Sequence, residues 1–145
     1  MTANVSLVIN GTPATKSVTR QTFATGNTAP QTDYTDLWWN ERESGWGVAL
    51  TQQYGTLFAA WYTYDASGKA IWYIASNCPI IGTGCTGELF QVTNGTPLTV
   101  AWNGTRLATT KVGTITFAFS DAGNATMSYT INGASATRAI TRIPF

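Results

Sequence analysis

The chain has 145 residues, the size of one domain, and eight basic against seven acidic side chains leave a formal charge of +1 with no histidine. That balance gives no electrostatic footprint for nucleic acid or an anionic membrane, and the missing histidine excludes Ser-His, Cys-His and His-metal chemistry. Charged residues are 10% of the chain against about 25% in an average domain, so Thr, Ser, Asn, Gln and Gly carry the solubility.

Residues 1–35 read as an N-terminal arm. "NVSLVING" alternates Val5, Leu7 and Ile9, Asn10-Gly11 supplies a turn, and "KSVTRQTF" follows as a second strand. "ATGNTAPQTDY" (24–34) reads as a linker. The first expectation for the arm is two more strands of the same fold. The alternative is a detachable strand, residues 4–10, that pairs with another subunit. Met1 to Asn4 lack the basic and apolar regions of a signal peptide, so export implies a leader preceding this sequence. No apolar run of about 18 residues marks a transmembrane helix.

From residue 36 to 145 the dominant signal is alternation. Strands are expected at 36–40, 45–53, 56–65, 70–77, 87–93, 98–102, 112–120, 125–131 and 135–143. Turns fall at Tyr54-Gly55, Ala66 to Gly68, Pro79 to Gly84, Asn94-Gly95, Asn103-Gly104, 121–124 and Asn132-Gly133. "TITFAFSD" puts Ile115, Phe117 and Phe119 on one face against Thr114, Thr116, Ala118 and Ser120. "ATMSYTING" does the same with Met127, Tyr129 and Ile131. Short hairpinned strands predict an all-β fold, an antiparallel up-and-down barrel of about eight strands, because closure removes exposed edges. A β-sandwich is the alternative.

Five of the six tryptophans fall between 38 and 72. In "TLFAAWYTYD", Leu57, Ala59, Trp61 and Thr63 share one face and Phe58, Ala60, Tyr62 and Tyr64 the other; in "AIWYIAS", Trp72 and Ile74 oppose Ile71 and Tyr73. Both faces are aromatic, so the arm, a partner or a ligand must cover the second one. Core filling of a wide barrel is the structural reading for any one of these rings. The functional reading is a non-catalytic binding surface for a carbohydrate or another small ring-bearing ligand. Trp38, Trp39, Trp46, Trp61, Tyr64 and Trp72 would stack on it, and Asn40, Glu43 and Gln52 would serve as polar partners. In "ESGWG", Gly45 and Gly47 permit a kink that aims Trp46 and holds Glu43 near the barrel mouth.

Glu41 and Glu43, two apart, raise the question of glycoside hydrolysis. Nothing marks either as a proton donor, and Arg42 beside them points to ion pairing. Cys78 and Cys85 flank "PIIGTG", which can fold back, so a disulfide and an oxidising compartment are expected; two buried thiols are the alternative. No cofactor or metal is expected, although Asp65 with nearby carbonyls leaves a surface calcium open. Asn4, Asn10, Asn94, Asn103 and Asn124 each begin an Asn-X-Ser/Thr sequon, but Asn-Gly is also turn chemistry, which is the simpler reading. Arg138 and Arg142 read as blunting the polar face of the last strand.

Residues 37–76, "LWWNERESGWGVALTQQYGTLFAAWYTYDASGKAIWYIAS", together with "VGTITFAFSDAGNATMSYTINGASATRAITR" to 142, resemble a tryptophan-rich "WWNP-ESGWG" domain of exported proteobacterial proteins. Here "NERES" replaces the usual proline-containing turn. The resemblance implies export and one fold over that range, and no catalytic residues. The competing reading of the whole chain is a self-assembling or adhesive extracellular subunit that uses its N-terminal strand.

Overall fold

The structure, a computed structural model, describes residues 1–28 and 30–144; Ala29 in the expected linker and Phe145 at the end of the expected barrel domain lie outside the described residues. Two strands, β1 (Thr2–Ile9) and β2 (Thr12–Thr19), form a hairpin that is a sheet of its own. Asn10 and Gly11 turn it with φ of 49° and 78°, the left-handed pair that a tight hairpin requires. Eight strands follow: β3 (Asp36–Trp39), β4 (Gly47–Gln53), β5 (Thr56–Tyr64), β6 (Ala70–Ile81), β7 (Gly84–Thr93), β8 (Ala108–Phe119), β9 (Asn124–Ile131) and β10 (Ala134–Arg142). They pair antiparallel in chain order and β10 closes on β3, so the fold is the up-and-down barrel and not the sandwich. Closure leaves the barrel no free edge, which is why β1 and β2 do not extend it. The arm thus supplies two strands, as expected, in a sheet separate from the barrel.

Alternation sorts the side chains as the pattern requires. Val48, Leu50, Leu57, Ala59, Trp61, Ile115, Phe117, Phe119 and Met127 are all at most 4% exposed, and they fill the barrel. An eight-stranded barrel is just wide enough for side chains to pack across it, so the interior is a core and not a channel. The opposite faces of β8, β9 and β10 carry hydroxyls, three pairs of which bond across strands: Thr86–Thr116, Ser128–Thr137 and Thr130–Ser135.

Several strand bounds differ from the alternation pattern, β7 and β8 starting earlier at Gly84 and Ala108, and one expected strand is absent among the described residues. β6 runs through Pro79 to Ile81, and the turn falls at Gly82-Thr83. Ser76 and Asn77 are both exposed between buried Ala75 and Cys78, a bulge that adds one residue to β6 against both neighbours. Cys78 thereby points inward and forms the disulfide with Cys85 on β7, Cα to Cα 5.3 Å. The strand expected at 98–102 does not form. Residues 94–107 are a connection in which the Asn103 side chain caps a short 3₁₀ turn, Gly104–Arg106, and Thr96 pins the backbone of Asn103.

Residues 20–35 behave as a strap and not as a free linker. The Gln53 carbonyl accepts the N–H groups of Phe23 and Ala24, and its amide donates to the Gln21 carbonyl. The Gln52 carbonyl accepts from Tyr34 N at 2.9 Å, and its amide donates to Thr32 and Tyr54 carbonyls. Tyr34 is buried, stacks on Phe119 with centroids 3.7 Å apart, and gives its carbonyl to the indole N–H of buried Trp38. The strap thus closes one end of the barrel, called the bottom below.

Candidate functional site

The other end is open because β3 is only four residues long. β10 and β3 share just two registered pairs, Thr141–Trp39 and Arg142–Trp38. Beyond Trp39 the wall between β10 and β4 is completed by residues 40–46. Asn40 anchors that loop: its amide donates to the Ala139 carbonyl at 3.1 Å, and its side-chain oxygen accepts from Arg42 N. Gly45, at φ 111°, makes the turn back, and a Cβ at Gly47 would sit 3.1 Å from the Trp38 carbonyl oxygen, so the kink needs both glycines.

The kink places Trp46 and Glu43 together. The Trp46 indole donates to Glu43 Oε2 at 3.1 Å, and Arg138 Nε stands 3.3 Å from the same oxygen. Glu43, Ser44, Trp46, Trp61, Thr63, Met127, Tyr129 and Arg138 enclose a cavity of about 310 Å³, which is within the size range of small-ligand clefts. Both partners of the Glu43–Arg138 pair are over 40% exposed, so the pair positions groups more than it stabilises the fold.

Trp61 supplies the unusual feature. It is 4% exposed and packs against Tyr129 (4.6 Å) and Tyr73 (5.4 Å). Its indole N–H is buried with no hydrogen-bond partner among the described residues. A buried donor left unpaired costs about 1–3 kcal/mol, so native folds rarely keep one without a use for it. Desolvation pushes the Tyr73 phenol above its ordinary 10.0, with the charge of Asp65 adding to the rise. The mouth itself is lined by the rings of Trp46, Trp61 and Tyr129 around one ion pair.

The candidates from the sequence divide among five places. Glu43, Trp46 and Trp61 meet in the mouth. Trp72 and Tyr64 lie on the outer wall, 42% and 53% exposed. Trp39 and Asn40 line a separate outer depression with Glu41, Arg42, Ala139 and Thr141. Trp38 is fully buried in the core and presents no surface to a ligand, and the Gln52 amide is committed to the strap. A larger depression, about 350 Å³, lies between the strap and the bottom turns, but Gln52 on its wall is hydrogen-bonded at both ends, and the clustered tryptophans line the mouth.

Sequence reasoning misplaced both Arg138 and Arg142. Both point to the inner face of β10, in phase with Ile140 at 1% exposed, and do not blunt its polar side. Arg138 serves the mouth. Arg142 serves the bottom, where it pairs with Asp36 at 3.1 Å, donates to the carbonyls of Ala122 and Asp33, and lies 5.3 Å from the Trp38 ring centroid. Ile140 must be core, so strict parity from it would have found both. Glu41 and Glu43 sit in a loop, not on one strand face, and line different depressions, so they do not converge on one substrate atom. The Asp65 carboxylate accepts from Ser67 N, the Ser67 hydroxyl and Lys69 N, which holds its pKa below 3.8 and makes it a turn former. Among the described residues no group of three or more acids or cysteines is placed to hold a metal ion.

These features define a closed eight-stranded antiparallel barrel, plugged at the bottom and open to an aromatic cavity at the top. Comparison of the chain with family models, with curated proteins and with solved structures finds no match.

Proposed function

We propose that the chain is a non-catalytic binding module that takes a carbohydrate or another small ring-bearing ligand at the open end of its barrel. The observation that carries this reading is the aromatic cavity of about 310 Å³ at the open end, where Trp46, Trp61 and Tyr129 surround the Glu43–Arg138 pair. Trp46 and Tyr129 would offer ring faces to a ligand there, and Glu43 a carboxylate oxygen. The disulfide supports an oxidising, extracytoplasmic setting, in keeping with the resemblance of residues 37–142 to a domain of exported proteins. Among the described residues no helix is long and apolar enough to cross a membrane. The barrel is apolar inside and hydroxyl-bearing on β8 to β10, the reverse of a lipid-facing barrel. The test is a titration of intrinsic fluorescence against mono- and oligosaccharides and small aromatic compounds. A saturable response that Trp61→Phe weakens supports the reading; no response to any of them sinks it.

A second reading, self-assembly, rests on the hairpin. Val5, Val8, Ile9 and Val18 are 42–69% exposed there, and a lone two-stranded hairpin is marginal in water. Light scattering of the full chain and of a variant without residues 1–19 tests it: concentration-dependent oligomers lost on truncation are expected, and a monomer at every concentration refutes it.

A further inference from the structure

The outer aromatic face begins where the mouth ends. Thr63 lines both the mouth cavity and a shallow depression outside it, which Gly45, Tyr62, Tyr64 and Trp72 help to form. Ser44 belongs to the inner side and Gly45 to the outer, so a single turn of chain separates the two. Gly45 carries no side chain to raise that wall, and a Cβ there would come within 3.7 Å of the Tyr64 ring. Tyr62 and Trp72 are direct cross-strand partners, 54% and 42% exposed, and Gly47 stands opposite Tyr62 on the other side. The arm does not cover this face; its packing is with Phe58, through Phe23 at 5.7 Å, nearer the bottom.

We propose that the mouth and this outer face are two subsites of one site for a neutral oligosaccharide. Its terminal ring enters the mouth, and the following units cross the rim at Gly45 onto Tyr62 and Trp72. The inference rests on the mouth reading above. Glu43 and Arg138 neutralise each other, so neither an anion nor a cation gains from entering. Glu43, whose two bonds both fall on Oε2, offers Oε1 to a donor, while the half-exposed Arg138 guanidinium beside it offers N–H groups to an acceptor. A sugar hydroxyl is both donor and acceptor, and the C–H faces of the ring suit the flanking aromatics. An aliphatic ligand would strip water from the carboxylate and the guanidinium without replacing their hydrogen bonds. The cavity has no exit downward, because fully buried Met127 and Trp38 lie beneath it, so a chain must leave over the rim. Recognition is therefore of a chain end.

The experiment titrates the full chain with cello-, chito- and manno-oligosaccharides of one to six units by calorimetry. Wild type, Tyr62→Ala/Trp72→Ala and Trp61→Phe are compared, with urea unfolding confirming that each variant is folded. In one of the three series affinity should rise by about tenfold from one unit to three, since two aromatic contacts are added. The double variant should remove that gain and leave the single unit unchanged. Trp61→Phe should weaken every length by a similar factor. Equal affinity at all lengths, with no effect of the double variant, overturns the extended site while leaving the mouth as a binding site. Binding that needs Tyr62 and Trp72 but ignores Trp61→Phe overturns the inference of one continuous site. Silence from every saccharide overturns both this inference and the carbohydrate form of the proposed function.

Discussion

Removing residues 1–19 and removing residues 1–35 should differ far more than their sixteen extra residues suggest. The hairpin contributes no buried side chain, and its side-chain hydrogen bond to the rest of the chain, Lys16 Nζ to the Val100 carbonyl at 3.4 Å, is exposed. Its loss should cost the barrel no more than about 0.5 kcal/mol, the scale of a surface change. The longer deletion also removes the strap. Tyr34 is 7% exposed and stacked on Phe119, and stripping such an aromatic from a core costs about 3–5 kcal/mol. The Trp38 indole then loses its acceptor, the Tyr34 carbonyl, which adds about 1–3 kcal/mol if water cannot reach it. Gln52 and Gln53 add little, because their freed amides return to solvent. The sum, about 4–8 kcal/mol, is comparable with the whole stability of an ordinary domain, about 5–15 kcal/mol. Urea unfolding followed by far-UV circular dichroism reads both deletions on one scale. The shorter should share the wild-type midpoint, and the longer should be largely unfolded or shifted far down. If the longer deletion stays within about 1 kcal/mol of wild type, the strap is not a plug and the assignment of the bottom end is wrong.

Three further outcomes follow from single positions. Gly113→Ala should fail to fold or lose more than about 4 kcal/mol, because a Cβ there would overlap the Thr130 carbonyl oxygen across the β8–β9 ladder; a near-native unfolding midpoint contradicts that packing. Replacing both Cys78 and Cys85 by serine opens a short loop, separation 7, and should cost about 2–3 kcal/mol from loop entropy, seen as a midpoint that no longer responds to reductant. Asp65 and Asp121 both titrate below 3.8 in the folded chain, Asp65 chiefly through the Ser67 side chain and Asp121 chiefly through Gly123 N–H. A depressed folded value means the unfolded chain binds more protons in that window. Stability is therefore full above about pH 4 and declines as pH falls through 3.8 and below, so Asp65→Asn/Asp121→Asn should flatten the acid limb of unfolding between about pH 5 and 2. An unchanged acid limb removes these turns as its source.

Much of the fold was legible because alternation is enforced by a single buried interior. Once Ile115, Phe117 and Phe119 are assigned inward, their neighbours are fixed, and all seven connections between the barrel strands carry Gly, Asn or Asp. Parity failed where the strand itself broke phase. The bulge at Ser76 and Asn77 conceals β6 from a period-two pattern, and Pro79 reads as a terminator although its missing N–H is harmless beside that bulge. The apparent strand at 98–102 shows the reverse error: Leu98, Val100 and Trp102 alternate, yet they are 49–71% exposed in a loop. The site was half legible. Aromatic crowding located Trp46 and Trp61, but no local signal says that Trp38 plugs the core, or that Gln52 faces a strap eighteen residues away in sequence. Those depend on which strand is short, and strand length is settled by closure.

The two arginines of β10 explain why the ends of the barrel differ. They lie four residues apart on one inner face, about 13 Å along a strand, so each reaches a different opening. Charged groups are scarce in this chain, and a cation facing inward has to find an anion at the rim. At the bottom Arg142 finds Asp36 and two backbone carbonyls under the strap, its side chain is 27% exposed, and its donors are used. At the top Arg138 meets Glu43 with no strap over it, its side chain is 41% exposed, and Trp46 and Trp61 line the same open cavity. The same device therefore finishes one end as structure and leaves the other unfinished. Arg138→Met separates these roles. If the top pair were structural, the loss would resemble that of Arg142→Met, about 1.5–3 kcal/mol for charged hydrogen bonds. If it orients Glu43 for a ligand, unfolding should shift by less than about 1 kcal/mol, as for exposed pairs, while saccharide affinity falls. Equal unfolding shifts for the two variants, with binding intact, would return the mouth to the structural account.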